Sequence, residues 1–281
     1  MAPNSNTDNN NRIGSDQSIV YEKDPSEVIN QFRCLIGESS ILNVYKYEDE
    51  LLLKFLRSRD YNLQKTLITL EGYVSKLHDR SDLFTWQPKE AEIALKTNVF
   101  NYLLDGSTNG QQIFFLHPGR WNPREVTLET IIAMVVLCQE ITLLDEKVQR
   151  SGVVVIIDMT GLSLNHLYKC GITNAKLISD LTERCIPVNI VNIHVVFQNW
   201  LTEMAYNLFK PFIDEELKRK IIFHGYNTGS IHQYCPKSVL PIKYGGTHEE
   251  PDLDKMYQIL VNDNHKIQEI WNKYKTKLID D

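Results

Sequence analysis

Residues Ser151 to Leu164 read SGVVVIIDMTGLSL, and this stretch decides the fold. Five apolar residues, Val153 to Ile157, lead without a polar interruption into Asp158, and Gly161 follows. An apolar run of this length predicts a buried β-strand. A strand that ends on an acidic residue is also typical of enzymes that hold a magnesium ion at a nucleotide, so the role of Asp158 is the first question.

The segments on either side of this strand alternate between strand-like and helix-like patterns. A β-rich run, Gln112 to His117, follows a turn at Asp105 to Gly110, and further strands are predicted at Val191 to Phe197 and Ile221 to Phe223. Helical patterns lie between them, at about 127–146, 173–183, 200–210 and 214–220. This alternation predicts an α/β fold with a mainly parallel sheet and right-handed crossovers.

Composition divides the chain into four parts. Residues 1–19 are rich in Asn and Ser and are expected to form a disordered tail. Residues 20–94 carry helical patterns and predict an N-terminal helical domain, and residues 95–248 contain the predicted sheet. Residues 249–281 hold a further amphipathic helix, from about 253 to 278.

The bulk properties argue against several classes of protein. A net charge of −6 disfavours nucleic-acid binding, which needs clustered Lys and Arg. Five scattered cysteines without a CxxC pair, and no apolar N-terminal signal, favour a reduced cytoplasmic protein. No apolar run approaches the roughly 18 residues of a membrane-spanning helix, so any membrane contact is expected to be peripheral. The eight histidines form no HExxH motif, and we expect no metal site.

Motifs for catalysis are also missing. The chain has no Gly-Lys dipeptide and no GxGxxG, so a phosphate-binding loop for a nucleotide is not supported. GxSxG is absent as well. A strand-ending Asp more often caps the following turn, and we interpret Asp158 in that way, with a magnesium-dependent nucleotide enzyme as the alternative. We predict no catalytic residue and no cofactor.

Three segments are more apolar or more basic than the fold alone requires. Ile131 to Cys138 is apolar on every face of its helix, so it is either a central core helix or is covered on one side by a ligand. An apolar stripe at Trp200, Met204, Leu208 and Phe212, with Leu201 and Ala205, fits either a core helix or a lid over a hydrophobic cavity. A basic cluster follows this stripe and is either a solvated surface or a patch for anionic lipid. It contains Lys210, Lys218, Arg219 and Lys220.

Short motifs carry a resemblance over about residues 50–246. They are FLRSRDY at 55–61, GRWNP at 119–123, QRSG at 149–152 with the strand to Asp158, IH at 193–194, KPF at 210–212, HG at 224–225, LP at 240–241 and YGG at 244–246. In this order and spacing, the chain resembles the CRAL-TRIO (Sec14-like) lipid-transfer proteins. The nearest branch is that of the α-tocopherol transfer and retinaldehyde-binding proteins.

The resemblance implies a helical N-terminal domain at 20–94 and, at 95–248, a lipid-binding domain whose sheet floors an apolar pocket under a mobile helix, about 200–212. Implied lipid-binding positions are Leu116, Ile132, Val135, Gln139, Val153, Ile157, Leu181, Ile186, Ile190, Ile193 and Leu208. Implied lid or membrane contacts are Trp200, Leu201, Met204, Leu208, Phe209 and Phe212. Within the opening strand, Val153, Val155 and Ile157 are expected to face the pocket, with Val154 and Ile156 behind the sheet.

The implied activity is that of a monomeric, non-enzymatic carrier, which binds one hydrophobic lipid such as a tocopherol, retinoid or carotenoid and transfers it between membranes. A lipid-sensing scaffold that regulates a protein partner is the alternative. Positions that bind phosphoinositide in the tocopherol branch fall on Asn189, Val191, Glu216 and Lys220, and only Lys220 is basic here. Gln139 replaces a small hydroxyl residue of that branch and could hydrogen-bond the polar end of a ligand.

Overall fold

A five-stranded sheet forms the centre of the α/β fold. The computed structural model describes residues 25–275, and over residues 104–108 only the backbone is described, so the expected disordered tail at 1–19 lies outside the described residues. The strands lie in the order in which they occur in the sequence, with the first pair antiparallel and all others parallel. They are β1 (Phe100–Thr108), β2 (Gln111–Leu116), β3 (Val153–Asp158), β4 (Ile190–Val196) and β5 (Ile221–Phe223). The mainly parallel sheet is therefore confirmed.

Helices precede, flank and follow this sheet. The helices before it are α1 (Pro25–Glu38), α2 (Asp49–Ser58), α3 (Leu63–Asp79) and α4 (Pro88–Lys96). The helices between its strands are α5 (Leu128–Thr142), α6 (Glu146–Ser151), α7 (Leu164–Arg184), α8 (Trp200–Phe209) and α9 (Glu215–Arg219). After three short 3-10 turns between residues 228 and 244, α10 (Leu253–Lys275) ends the described chain. None of the helices within residues 25–275 has the length and apolarity needed to cross a membrane.

Strand β1 was not predicted, and the predicted turn at Asp105 to Gly110 is wrong in its extent. The backbone is extended as far as Thr108, and the chain reverses at Asn109 and Gly110, which both have positive φ values (53° and 83°). An Asn-Gly pair with positive φ at both residues is the preferred two-residue hairpin turn. Asp105 and Gly106 are residue types depleted in strands, which is why sequence patterns missed β1.

Two predicted helices differ in their bounds. The helix expected at 127–146 ends at Thr142, and the separate helix α6 follows. Helix α7 begins at Leu164, well before the expected residue 173, because Ser163 and His166 form a capping box there. Inside α7, Gly171 has φ 60° and ψ 174°, a conformation open essentially to glycine alone. Because Gly171 interrupts the helix, the sequence pattern predicted only its second half.

The two faces of the sheet pack against different layers. Val154 and Ile156 of β3 belong to a back layer that also holds Phe115 and Tyr244, whose rings are stacked with centroids 5.6 Å apart. Val155 and Ile157 belong to the larger cluster on the front. This confirms the alternation predicted for β3.

Helices α1 to α4 and α10 share one core and pack against the front layer. Edge-to-face contacts connect Tyr73 of α3, Phe84 and Trp271 of α10. The guanidinium of Arg59 donates to backbone carbonyl oxygens in the last turn of α7 and just beyond it, including that of Val188 at 3.0 Å. These contacts fix α7 to the N-terminal helices. The proposed boundaries at 94 and 248 stay predictions.

Candidate functional site

Asp158 lies on the back of the sheet and its carboxylate is fully engaged. It accepts hydrogen bonds from the Thr160 backbone N–H (2.9 Å) and the Tyr244 hydroxyl (3.1 Å), and forms an ion pair with Lys243. Burial opposes its ionisation, but the bonds from Lys243 and Thr160 outweigh burial and hold the pKa of this carboxyl below its usual value. Asp158 therefore ends the strand and fixes the turn, as predicted. Within residues 25–275, no cluster of three or more His, Cys, Asp or Glu side chains is arranged to hold a metal ion.

A cavity of about 370 Å³ lies on the front of the sheet. Strand register builds its floor from two rows of side chains, because residues paired across parallel strands point to the same face. One row is Phe114, Val155, Ile193 and Ile221. The other row is Leu116, Ile157, Val195 and Phe223. The floor is thus apolar across four strands.

Helices α5 and α7 form the walls of the cavity, and α8 covers it. The first wall includes Ile132 and Val135 of α5, and the second includes Ile178 and Leu181 of α7. No Lys, Arg, Asp or Glu lies among the described residues that line the cavity. Such a space accepts an apolar molecule and offers no charge to an ionised one.

Most of the sequence-predicted lipid-binding residues lie together on this cavity. Those that line it are Leu116, Ile132, Val135, Gln139, Ile157, Leu181, Ile190 and Ile193. Their role in lipid binding stays a prediction. The remaining three, Val153, Ile186 and Leu208, do not line it. Val153 and Ile186 are buried in the surrounding core, at the start of β3 and just after α7, and Leu208 is half-buried on another side of α8.

Helix α8 has an inner and an outer face. Thr202, Ala205, Tyr206 and Phe209, at helical spacing, line the cavity. Of the predicted lid contacts, Trp200 and Met204 are exposed (67% and 46%), Leu208 and Phe212 are half-buried, and Leu201 is buried. The apolar stripe read from the sequence is therefore mainly the outer face of α8. The helix ends at Phe209, short of the expected residue 212.

Exposed apolar side chains extend from α8 onto α7. Leu164, Tyr168 and Ile172 are 52%, 82% and 64% exposed. The two helices pack against each other, and both begin at the edge of the sheet where β3 and β4 end. We call Leu164, Tyr168, Ile172, Trp200 and Met204 the outer apolar surface. Exposed apolar patches of this kind mark sites that contact a membrane or another protein.

Half of the predicted patch for anionic lipid is paired with carboxylates. Lys218 forms an ion pair with Glu215 (2.8 Å), and Lys220 pairs with Glu216 (3.2 Å), which also binds Lys65. Two members remain outside these pairs. Arg219 is exposed, and the ammonium of Lys210 lies over the ring of Tyr206 at 6.0 Å.

Sequence reasoning missed several lining residues. Phe114 lies two positions before Leu116, so the period of a strand could have identified it. Thr202 and Tyr206 were missed because the most apolar stripe of α8 faces outward. His166 of α7 also lines the cavity, and no pattern marked it because its helix was predicted to start later.

Comparison with known proteins agrees with this architecture. The solved crystal structure of Sfh5 aligns with 88% of this chain and 99% of its own, with a TM-score of 0.52 and 15% identity, which is a likeness of fold. The human α-tocopherol transfer protein-like protein is 28% identical over 206 residues, which are 73% of this chain. Clavesin-1 of Xenopus laevis is 24% identical over 240 residues, covering 84% of this chain and 72% of its own length.

The chain spans about 60% of the length of the tocopherol transfer protein-like relative. The family model of the CRAL/TRIO domain matches residues 96–246, which include the five strands and helices α5 to α9. That match covers more than half of the 281 residues. The chain therefore belongs to the CRAL/TRIO domain family.

Proposed function

We propose that this protein binds one hydrophobic lipid in the cavity, with α8 as the lid, and transfers it between membranes. The observation that carries the proposal is the apolar cavity itself, floored by two rows of aliphatic and aromatic side chains and bounded by residues without charge. The names of the α-tocopherol transfer protein-like relatives support the same class of activity.

The free energy of exchange fits a carrier. Burying about 500 Å² of apolar ligand surface is worth on the order of 12 kcal/mol relative to water. A bilayer offers the ligand a similar gain, so moving the lipid between protein and membrane is close to balanced. The rate then depends on how easily α8 moves, and the outer apolar surface provides the contact with the bilayer. This mechanism needs no catalytic group, and we propose a carrier that is not an enzyme.

The proposal is tested by transfer between vesicles. Donor vesicles contain trace amounts of tritiated tocopherol, retinol, cholesterol and squalene, and acceptor vesicles contain none. The protein is expected to bind at least one of these lipids and to accelerate its appearance in the acceptor vesicles. A delipidated, folded protein that removes none of them, and whose freshly purified form contains no lipid by mass spectrometry, would overturn the proposal.

A matched pair of variants ties the activity to the cavity. Ala205→Trp places an indole in the cavity from the inner face of α8 and is expected to abolish lipid binding. Asn207→Trp adds the same ring at an exposed position of the same helix and is expected to leave binding intact. Equal binding by both variants would show that the lipid occupies another place.

A lipid-sensing scaffold is the second candidate function, and the same cavity supports it. The transfer assay separates the two, because a sensor binds lipid without accelerating transfer. Phosphoinositide binding at Lys210 and Arg219, the members of the basic cluster without a carboxylate partner, is a further part of the carrier proposal. It is tested by adding phosphoinositide to the acceptor vesicles.

A further inference from the structure

Ser179 of α7 presents a buried hydroxyl without a partner. Its side chain lies on the cavity wall and the residue is 3% exposed, yet its Oγ has no hydrogen bond to any described residue. A buried hydroxyl left without a partner costs about 1–3 kcal/mol, so a native protein rarely leaves one without a reason. The orphaned Oγ points to a partner that arrives with the ligand.

The other polar groups of the wall distinguish Ser179 from its neighbours. His166 uses both ring nitrogens, on Ser163 and on the Trp121 carbonyl. The hydroxyl of Thr182, three residues after Ser179, donates to the Ile178 carbonyl at 2.8 Å. Ser179 and Thr182 therefore differ. The Thr182 hydroxyl has a hydrogen-bond partner within α7, whereas the Ser179 hydroxyl has none.

A second uncommitted polar group lies at the same end of the cavity. Helices α5 and α7 both run antiparallel to the strands, so their last turns lie where β3 and β4 begin. Gln139 is in the last turn of α5, and its amide has no hydrogen-bond partner among the described residues. Glu140, the next residue, helps burial to raise the pKa of Cys185 just after α7, which agrees with the proximity of the two helix ends.

None of the described residues that line this end of the cavity is charged, and the nearby Glu140 is paired with Lys54 outside the lining. A carboxylate or phosphate there would be desolvated without a cation to pair with, and an ammonium without an anion. The wall thus offers hydrogen bonds to a neutral group only. It is also the end of the sheet remote from the outer apolar surface.

We propose that the cargo is an uncharged lipid with a single hydroxyl or carbonyl group, and that this group hydrogen-bonds to Ser179 Oγ, with the Gln139 amide beside it. The inference rests on the proposed function and narrows its substrate class. It excludes both pure hydrocarbons and ionised lipids as preferred cargo. It also places the polar end of the lipid where β3 and β4 begin, with the apolar end toward the outer apolar surface.

The test compares three probes that share a sixteen-carbon chain. Tritiated hexadecan-1-ol, hexadecane and hexadecanoate are each partitioned between the full-length protein and phosphatidylcholine vesicles at pH 8. The variants are Ser179→Ala and, as a control outside the cavity on the same helix, Thr173→Val, with melting temperatures to confirm folding. The membrane reference is the same for every variant, so a change in the alcohol-to-hydrocarbon ratio reports on the protein alone.

Ser179→Ala is expected to lower the alcohol-to-hydrocarbon ratio by about three- to tenfold, the effect of one hydrogen bond. Thr173→Val is expected to keep the wild-type ratio, because its exposed hydroxyl lies outside the cavity. Equal ratios for wild type and Ser179→Ala would overturn the proposed hydrogen bond to Ser179. Binding of hexadecanoate as tight as that of the alcohol would overturn the proposal that the cargo is uncharged. A wild-type protein that extracts none of the three probes would contradict the carrier proposal itself.

Discussion

The ammonium of Lys54 lies 2.7 Å from a carboxylate oxygen of Glu140, and both side chains are buried. The pair joins α2 to α5, the helix that forms one wall of the cavity. Removing one partner of a buried ion pair leaves an unpaired charge, and such changes cost about 3–5 kcal/mol. We expect Lys54→Met to lower the free energy of unfolding by that amount, which a lower midpoint of urea unfolding would report.

The double variant Lys54→Met/Glu140→Leu tests the physical reason. It removes both charges and is expected to recover most of the lost stability, since an apolar pair of similar volume is often neutral or better. Lys96→Met, which removes one partner of an exposed pair on α4, serves as the control and is expected to keep the wild-type midpoint. A double variant as unstable as the single one would contradict this account.

Stability is expected to fall in mild acid because of buried histidines. Burial, and then the charge of His224, lower the pKa of His194 to about 4. The unfolded chain binds the proton at a pKa near 6.5, so between pH 6.5 and 4 the unfolded state holds more protons than the folded state. The contribution of the neutral histidine to the free energy of unfolding is therefore at its maximum above about pH 6.5. It declines as the pH falls toward 4, by up to about 1.4 kcal/mol per pH unit for each such group.

Urea unfolding at pH 7, 6 and 5 checks this dependence. His194→Gln is expected to reduce its slope, with the exposed His265→Gln as the control. His117, whose pKa burial and Arg120 lower to about 4, keeps part of the slope in the variant. A slope unchanged in His194→Gln would assign the effect to other groups.

Gly171 and Gly37 are expected to respond to alanine with opposite signs. At Gly171 the backbone has φ 60° and ψ 174°, so a side chain is strained even though space is available, and the cost is about 1–3 kcal/mol. Gly37 lies in α1 without a positive φ and with open space around it, so alanine there is neutral or stabilising by up to about 1 kcal/mol. Thermal melts of the two variants measure the difference. Equal melting temperatures would contradict it.

The two faces of α8 are expected to control different steps. Trp200→Asp and Met204→Asp change the outer face and should slow transfer between vesicles while lipid binding remains. Phe209→Asp places a carboxylate on the inner face and should weaken binding itself, because its charge would be desolvated in the cavity. Vesicle co-sedimentation and equilibrium binding separate these effects. A loss of binding in all three variants would show that the faces do not act separately.

Glu216 is expected to restrain binding to anionic membranes. Hydrogen bonds from Lys65 and Lys220 lower the pKa of its carboxyl to about 2, so it stays ionised and neutralises nearby charge. Glu216→Gln should increase association with vesicles that contain phosphatidylserine, by roughly fivefold for each basic charge released near the surface. The gain should disappear at high salt, and Glu92→Gln on α4 should show none. An increase that persists in high salt would point to a non-electrostatic cause.

The sheet and much of the cavity could be predicted from the sequence. The unbroken apolar run from Val153 to Ile157 predicts a buried parallel strand. The period of a strand then places Val155 and Ile157 on one face. Strand β1 could not be found in this way. Asp105 and Gly106 have a low propensity for strands, and the tertiary pairing of β1 with β2 overrides that propensity.

The inner face of α8 and the orphaned hydroxyl required the structure. Apolar residues on α8 face both outward and inward, and the stripe at Trp200 and Met204, predicted to contact the membrane, did not identify the inner residues Thr202 and Tyr206. Ser179 resembles any serine within a helix, and only the hydrogen bonds around it show that its hydroxyl is unused. Local patterns identify elements, whereas unsatisfied groups are properties of the assembled site.

The Tyr244 hydroxyl, which bridges His117 at 3.0 Å and Asp158 at 3.1 Å, has a consequence for synthesis on the ribosome. Because the strands lie in the order of the sequence, the nascent sheet grows by addition at one edge as the chain emerges. Its back layer is completed only when residue 244 follows. Until then, the buried Asp158 carboxylate and the buried His117 imidazole lack the hydroxyl that joins them, so the layer behind the cavity floor is completed late in translation.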